Sequence, residues 1–180
     1  MIYEPNDDSY LLAEFVKKYA KGKVLDMGTG SGIQAETALG KTKDVLAVDI
    51  NQEAVEFCRK KGISCIKSDL FEKVEGKFDL IIFNPPYLPL EKEYFGMKFT
   101  EKDFNYVNDI SIVGGKEGWE TIDRFLKDAK KFLSVNGRIL LSFSNLSGDI
   151  EKIMKKYGYK FKKISEKGVF FERLYVYLLE

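Results

Sequence analysis

Short apolar runs alternate along most of this chain with segments whose apolar residues recur at helical spacing. Five runs have the length and composition of strands, at residues 23–27, 44–49, 63–67, 78–83 and 138–143. The fourth run is apolar on both faces, as expected for a parallel strand covered by helices on either side. Helices are predicted between the strands, at residues 31–39, 53–61 and 118–133. This alternation predicts an α/β fold, with a doubly wound, mostly parallel sheet of the Rossmann type.

Both ends of the chain depart from the alternation. Residues 8–19 place their apolar side chains on one helical stripe, which predicts a helix ahead of the first strand. A helix at residues 148–156 precedes two alternating runs, 160–165 and 171–179, and we expect these to form an antiparallel hairpin around Lys167 and Gly168. Residues 88–113 show no sustained period. Because loops of that length are usually functional, this segment is predicted to face the substrate, with an ordinary insertion as the alternative.

Composition narrows the classes of function. The 180 residues are 44% hydrophobic and suit one domain spanning 1–180. A net charge of +1 creates no general attraction to nucleic acid or to an anionic membrane, and no apolar run approaches the ~18 residues of a membrane span. The chain has no histidine, which excludes imidazole catalysis, and we predict no metal site. Cys58 and Cys65 match no disulfide framework, which predicts a cytoplasmic protein.

A glycine-rich segment after the first predicted strand is the candidate cofactor loop. It contains Gly28, Gly30 and Gly32 at every second position, with Asp26 before them. This spacing differs from the GxGxxG of dinucleotide sites, so NAD is the weaker interpretation. An acidic side chain at the end of the strand can pair with the amino group of a methionine moiety. The positively charged sulfonium also needs no phosphate-binding site at a helix N-terminus. The loop therefore favours S-adenosylmethionine over NAD, and a turn without a ligand is the alternative.

Two further acidic residues lie at or just after the ends of the next two predicted strands. Asp49 comes 21 residues after Gly28, where a carboxylate can accept hydrogen bonds from both ribose hydroxyls, and Ile50 beside it is counted with the cofactor site. Asp69 follows the third strand and could accept from the adenine amine while Leu70 packs on the ring. Alternatively, Asp49 caps the helix that follows and Asp69 is a turn residue.

The residues Asn84-Pro85-Pro86-Tyr87 end the fourth predicted strand, at the edge where doubly wound sheets bind ligands. The prolines hold the preceding residues in extended geometry, so the loop is rigid. The Asn84 side-chain oxygen and the Pro85 carbonyl could accept both hydrogens of an amide or aromatic amine and orient its weakly nucleophilic nitrogen. Tyr87 could pack on the planar substrate and on the cationic methyl donor. A rigid turn with nothing bound is the alternative.

In this order the motifs resemble the HemK family of protein glutamine methyltransferases, in its short archaeal and eukaryotic branch that acts on the class I peptide-release factor. The resemblance spans nearly the whole chain. It rests on the segments at residues 3–9, 26–32, 69–71, 84–87, 114–118 and 122–126. It implies methylation of the glutamine side-chain nitrogen in a Gly-Gly-Gln loop. It also implies that Ser9 and Tyr3 touch the cofactor, within an N-terminal segment, residues 1–22, that covers it.

The resemblance also bears on partners. Bacterial relatives carry a helical substrate-binding domain before the sheet, whereas about 22 residues precede the first strand here, so substrate docking must differ. The short branch works with a small zinc-binding activator protein that adds a strand beside the third strand. By analogy, the edge from Ile63 to Lys67 is the candidate contact.

Other functions remain open at this point. Enzymes that methylate adenine N6 carry a similar Asn-Pro-Pro-Tyr motif, because an exocyclic amine nitrogen is as poor a nucleophile as an amide nitrogen. Near-neutral charge and the lack of a target-recognition domain weigh against nucleic acid. Lysine methylation would first require deprotonation of the amine. An idle methyltransferase fold would be expected to lack Asp26 or Asn84, and a nicotinamide oxidoreductase would carry GxGxxG.

Overall fold

The computed structural model describes residues 2–90, 93–94, 97–98, 111–170 and 172–180. Eleven strands occur in these ranges: β1 Val24–Met27, β2 Val45–Asp49, β3 Cys65–Lys67, β4 Phe78–Phe83, β5 Leu88–Pro89, β6 Glu93–Tyr94, β7 Met97–Lys98, β8 Val113–Gly115, β9 Leu133–Ser144, β10 Phe161–Val169 and β11 Glu172–Leu179. Seven of them form one sheet in the order β10-β11-β9-β4-β1-β2-β3. The five strands from β9 to β3 run parallel, and β11 pairs antiparallel with both β9 and β10.

Five α-helices occur in the described part of the chain: α1 Asp7–Tyr19, α2 Ile33–Leu39, α3 Gln52–Lys60, α4 Glu120–Ala129 and α5 Ile150–Lys156. Asparagine caps start two of them, because the Asn6 and Asn51 side chains accept hydrogen bonds from backbone N–H groups of the first turns. Within the described ranges, no helix is long and apolar enough to cross a membrane.

The sheet is buried on both faces. Every residue of β1 is buried, so Val24 and Leu25 point into two different hydrophobic cores. One core contains aromatic and aliphatic side chains of α4, including Phe125 and Leu126. The other contains Leu12 and neighbouring residues of α1, with α2 and α3. Because helices pack on both faces of the sheet, the central strands are continuous apolar runs in the sequence. The predicted α/β class with a C-terminal antiparallel hairpin is confirmed.

Several predicted boundaries were wrong. The helix predicted at 118–133 ends at Ala129, and β9 begins at Leu133 because its first residue already pairs with Phe78. Strand β10 continues through Lys167 and Gly168, which were predicted to form the hairpin turn. Pairing with β11 therefore overrides the local turn preference of the lysine-glycine pair.

The segment 88–113 contains four short strands in its described part, β5 to β8, although the sequence shows no period there. Strand β5 pairs with β8 across the segment, and β6 pairs with β7. Residues 91–92, 95–96 and 99–110 lie outside the described residues, so the prediction that this segment faces the substrate stays a prediction for most of its length.

Candidate active site

A cavity of about 730 Å³ opens at the carboxyl ends of β1, β2 and β4. Its volume is typical of small-molecule sites. Most of the predicted site residues line it: Tyr3, Ser9, Gly28, Gly30, Asp49, Ile50, Asp69, Leu70, Asn84, Pro85 and Tyr87. The structure therefore brings together residues from the N-terminal segment and from the ends of four strands.

The glycine loop connects β1 to α2 and forms the middle of the cavity wall. Gly28, Gly30 and Gly32 all have positive φ angles, which let the loop turn sharply without side-chain clashes. The Gly30 N–H donates to Asp49 Oδ2 at 2.8 Å, and the Asn51 N–H donates to Oδ1 at 2.8 Å. Burial raises the pKa of Asp49, while these backbone donors oppose the shift. Asp49 is thus held in place at the cavity wall.

Asp26 and Gly32 lie behind the wall. Asp26 is 1% exposed, and its Oδ2 accepts hydrogen bonds from Thr29 Oγ1 at 2.6 Å and from the Ala35 N–H at 3.0 Å. Burial raises the pKa of Asp26 to about 7. A side chain at Gly32 would meet Ile63 Cδ1 at 2.9 Å, so this glycine packs against the protein interior. Direct cofactor contact by these two residues stays a prediction.

The far end of the cavity contains Asp69 and Leu70. Arg124 of α4 binds Asp69, with 2.7 Å between Nη2 and Oδ2, and Arg124 also lines the cavity. Leu70 has a φ of 46°, a conformation that is strained for a branched side chain and is often found where a ligand is held. Asp69 therefore has one carboxylate oxygen fixed by an arginine, a role that the sequence did not indicate.

Asn84 is oriented by Asp8. The Asn84 Nδ2 group donates to Asp8 Oδ2 at 3.1 Å and to Ser9 Oγ at 3.4 Å. Tyr3 Oη also donates to the Asp8 carboxylate, at 3.1 Å and 3.2 Å from its two oxygens. Because the amide nitrogen is engaged, the opposite Oδ1 of Asn84 is an acceptor. It is buried, and no donor from the described residues reaches it.

The loop after Asn84 is braced by the segment around Gly114 and Gly118. The backbone N–H groups of Tyr87 and Leu88 donate to the Ile112 carbonyl at 3.1 Å and 2.9 Å. A Cβ atom at Gly114 would lie 2.6 Å from the Pro86 carbonyl oxygen. The glycines at 114–118 therefore let one backbone pack directly on the other. Burial, followed by the nearby Asp8 charge, raises the pKa of Tyr87, so its hydroxyl stays protonated.

This packing predicts the effect of Gly118→Ala. Gly118 has a φ of 88°, and a Cβ atom would lie 2.6 Å from the Tyr87 carbonyl oxygen and 2.9 Å from the Pro89 nitrogen. We expect a loss of about 2 kcal/mol in unfolding free energy and a displaced loop. Gly62→Ala is the matched control, because its φ is 80° but no atom of the described residues lies within 4 Å of the added atom. Gly118→Ala should lower both the unfolding free energy measured in urea and the rate of methyl transfer, whereas Gly62→Ala should leave the rate of transfer intact. Equal effects of the two variants on transfer would contradict the role of Gly118 in packing the loop.

Four residues of the site were not identified from the sequence: Asp8, Gln34, Arg124 and Glu172. Asp8 and Arg124 stand inside motifs that carried the family resemblance, which was the available signal. Glu172 begins β11, and only the sheet order brings it to the cavity. The Glu172 Oε2 atom is buried without a hydrogen-bond partner in the described part of the chain. Burial raises the pKa of Glu172, and the nearby Asp8 charge raises it further, while a hydrogen bond from Ser144 opposes the shift.

Comparison with known proteins decides the family. A sequence model of the small methyltransferase domain matches residues 4–105, which include every predicted site residue except Tyr3. The chain belongs to the small methyltransferase domain family. Its cofactor is S-adenosylmethionine, and it is a methyltransferase.

Similar proteins within this family share nearly the whole length of the chain. A Methanocaldococcus jannaschii protein, provisionally named protein N5-glutamine methyltransferase, is 36% identical over 97% of this chain and 89% of its own. The mouse methyltransferase HEMK2 is 29% identical over 87% of this chain and 79% of its own. The E. cuniculi Mtq2–Trm112 complex, responsible for methylation of the termination factor eRF1, superposes with a TM-score of 0.76, at 26% identity, over 99% of this chain and 98% of that one.

The residues present suit S-adenosylmethionine. Three of the buried side-chain oxygens without a hydrogen-bond partner among the described residues belong to side chains lining the cavity, namely Gln34 Oε1, Asn84 Oδ1 and Glu172 Oε2. Unpaired buried acceptors on residues that line one cavity are expected where ligand donors complete the hydrogen bonds. Asp49 and Asp69 would hold the ribose and adenine, and the residues around Asn84 would hold the methyl-bearing end.

Proposed function

We propose that this protein methylates the side-chain amide nitrogen of a glutamine in a peptide-release factor. The observation that carries the proposal is the Asn84 side chain, whose Nδ2 is held by Asp8 at 3.1 Å while its Oδ1 is buried and unpaired among the described residues. Proteins named for glutamine methylation or for methylation of eRF1 match nearly all of the chain, which supports the same substrate.

Asn84 and Pro85 address the central difficulty of the reaction, which is that an amide nitrogen is a poor nucleophile. Asn84 Oδ1 would accept one N–H of the substrate amide, and the Pro85 carbonyl would accept the other. Two fixed acceptors orient the nitrogen lone pair and stabilise charge as it develops there. S-adenosylmethionine supplies an electrophilic methyl group on a positively charged sulfur.

No protein base is needed for the proton. A nitrogen that has accepted a methyl group is strongly acidic, so its proton can leave to water. Tyr87 remains protonated, because burial raises its pKa, and its ring can pack against the planar amide. Its role is therefore to position the substrate.

Electrostatics favours a protein substrate over nucleic acid. Asp8 and Glu172 both line the cavity, and the Asp8 charge contributes to the raised pKa of Glu172, so the two carboxyl groups lie close enough to interact. Negative charge beside Asn84 would repel the phosphates that flank a nucleic-acid base. A neutral peptide loop meets no such repulsion.

We also propose a small activator protein on the outer edge of β3. This strand ends the sheet, and Ile66 is only half-buried there, so an added strand could pair with it. The Mtq2 protein, which this chain resembles over its full length, is found in complex with Trm112. The two free thiols, Cys58 and Cys65, suit a reducing compartment, and we place the reaction in the cytoplasm.

Asp8 is proposed to be a positioning residue, and this predicts the behaviour of two variants. Asp8→Ala frees the Asn84 amide to rotate, and we expect kcat to fall about tenfold or more, because one charge-assisted hydrogen bond is lost. Asp8→Asn keeps an oxygen that can accept from Asn84 Nδ2, so kcat should return to within about threefold of the wild type. If both variants lose the same activity, the Asp8 charge itself is required and the positioning role is wrong.

The proposed substrate is tested by transfer of radiolabelled methyl groups, with and without the candidate activator. The acceptors are an intact release factor, its Gln-to-Asn loop variant, a histone-like lysine peptide, and single- and double-stranded DNA. Label in the release factor alone supports the proposal. Label in DNA or lysine would overturn the substrate while leaving the cofactor assignment in place.

A further inference from the structure

Gln34 is a deeply buried polar side chain of the cavity wall that the proposed reaction leaves without a role. It lies in the first turn of α2, is 3% exposed and lines the cavity. The amide carries both a donor and an acceptor, so each of its two ends needs a partner when buried.

The donor end of Gln34 is occupied. Its Nε2 group donates to the Ser9 carbonyl at 2.9 Å, which ties α2 to the N-terminal segment. A carbonyl can only accept, so this contact assigns the nitrogen to the Ser9 side and the oxygen to the other side. The Gln34 Oε1 atom is buried, and the described residues offer it no donor. A buried unpaired carbonyl oxygen is costly, which indicates that a ligand donor completes the site.

The position of Gln34 identifies that donor. Ser9 links Gln34 to the methyl-transfer end, because Ser9 Oγ accepts from Asn84 Nδ2 at 3.4 Å. Asp49 and Asp69 lie along the wall toward β3, where we place the ribose and adenine. The amino-acid tail of the cofactor would then lie near Gln34. Its carboxylate cannot donate, whereas its α-ammonium carries three donors.

We propose that Gln34 Oε1 accepts a hydrogen bond from the α-ammonium of S-adenosylmethionine, while Gln34 Nε2 holds the N-terminal segment against the same site. The sequence assigned the ammonium to Asp26, but one oxygen of that carboxylate already accepts from Thr29 and Ala35, and Asp26 does not line the cavity. The inference rests on the cofactor orientation proposed above and does not depend on the identity of the methylated substrate.

The test compares two ligands by calorimetry: S-adenosylhomocysteine and its analogue without the amino group. Gln34→Met should weaken S-adenosylhomocysteine roughly 10- to 100-fold, since a hydrogen bond to a charged group is lost. It should change affinity for the deaminated analogue by less than about threefold. Gln52→Met makes the same chemical change at another lining residue, at the start of the helix that follows Asp49, and should leave the ratio of the two affinities unchanged.

A second variant keeps the inference testable if Gln34→Met folds poorly. Gln34→Glu retains an oxygen acceptor for the ammonium but loses the donor to the Ser9 carbonyl. It should still prefer the amino-bearing ligand, while amide hydrogens of residues 6–12 exchange faster than in the wild type. Equal weakening of both ligands by Gln34→Met, or no weakening of either, would overturn the proposal. Because no release factor is present, the result stands apart from the substrate assignment.

Discussion

Asn84→Ala is expected to lower kcat for methyl transfer by about 100- to 1000-fold, the usual cost of removing one preorganised hydrogen-bond partner from a developing charge. The variant removes an amide whose nitrogen is held by Asp8 and whose oxygen is buried without a hydrogen-bond partner among the described residues. Affinity for S-adenosylhomocysteine should change by less than about threefold, since Asp49 and the glycine loop are untouched. Single-turnover transfer and calorimetry measure the two effects separately.

The control for this variant is Asn145→Ala. Asn145 is exposed, lies outside the cavity lining and accepts one hydrogen bond from the Arg173 N–H at 2.7 Å. Its loss should leave transfer within about threefold of the wild type. If Asn84→Ala retains more than a tenth of the wild-type kcat, the amide does not orient the acceptor nitrogen, and the proposed mechanism fails.

Asp26→Asn should remove a pH dependence of stability. Burial raises the pKa of Asp26 to about 7 in the folded protein, whereas an unfolded aspartate titrates near pH ~4. Between these values the folded chain holds a proton that the unfolded chain has released. The contribution of this group to stability is therefore present below pH ~4 and is lost as the pH rises to about 7.

Urea unfolding of the cofactor-free protein at pH 5 and pH 8 measures this effect. The difference in unfolding free energy between the wild type and Asp26→Asn should shift by roughly 2–3 kcal/mol across that range, in favour of the variant at the higher pH. Asparagine can still accept from Thr29 Oγ1 and the Ala35 N–H, so the fold should persist. Asp49 and Glu172, whose pKa values are also raised, are common to both proteins and cancel. Parallel stability curves would show that Asp26 is ionised throughout.

Local periodicity predicted the strands of this sheet well because each buried strand is a short, continuous apolar run. The helix-to-strand boundary at Leu133 was missed, since β9 is extended there by pairing with Phe78, a residue far away in sequence. The hairpin turn was misplaced for the same reason, because pairing with β11 carries β10 past Gly168. Strand bounds thus depend on partners that no local pattern contains.

The candidate site also divides into residues that local sequence patterns reveal and residues that only long-range contacts reveal. Asn84, Asp49 and the glycine loop could be found from the sequence, because each sits directly after a predicted strand and parallel strands share one carboxyl edge. Gln34 and Glu172 could not be found, since their importance lies in buried oxygens left unpaired by neighbours distant along the chain. Conversely, Asp26 looked like a wall residue from its place near the end of β1, but its carboxylate accepts from the Ala35 N–H of α2 and does not line the cavity.

The sequence by itself determined the class of fold, the cofactor and the loop that we propose carries the chemistry, because these depend on motifs of adjacent residues. Only the tertiary structure decided how the Asn84 amide is turned, since Asp8 lies 76 positions away and reaches it through the packing of the N-terminal segment over the sheet. The same packing brings Ser9 to Gln34, and the order of strands in the sheet brings Glu172 to the cavity. Orientation at this site is a property of long-range contacts, and those form only when the two layers of helices close on the sheet.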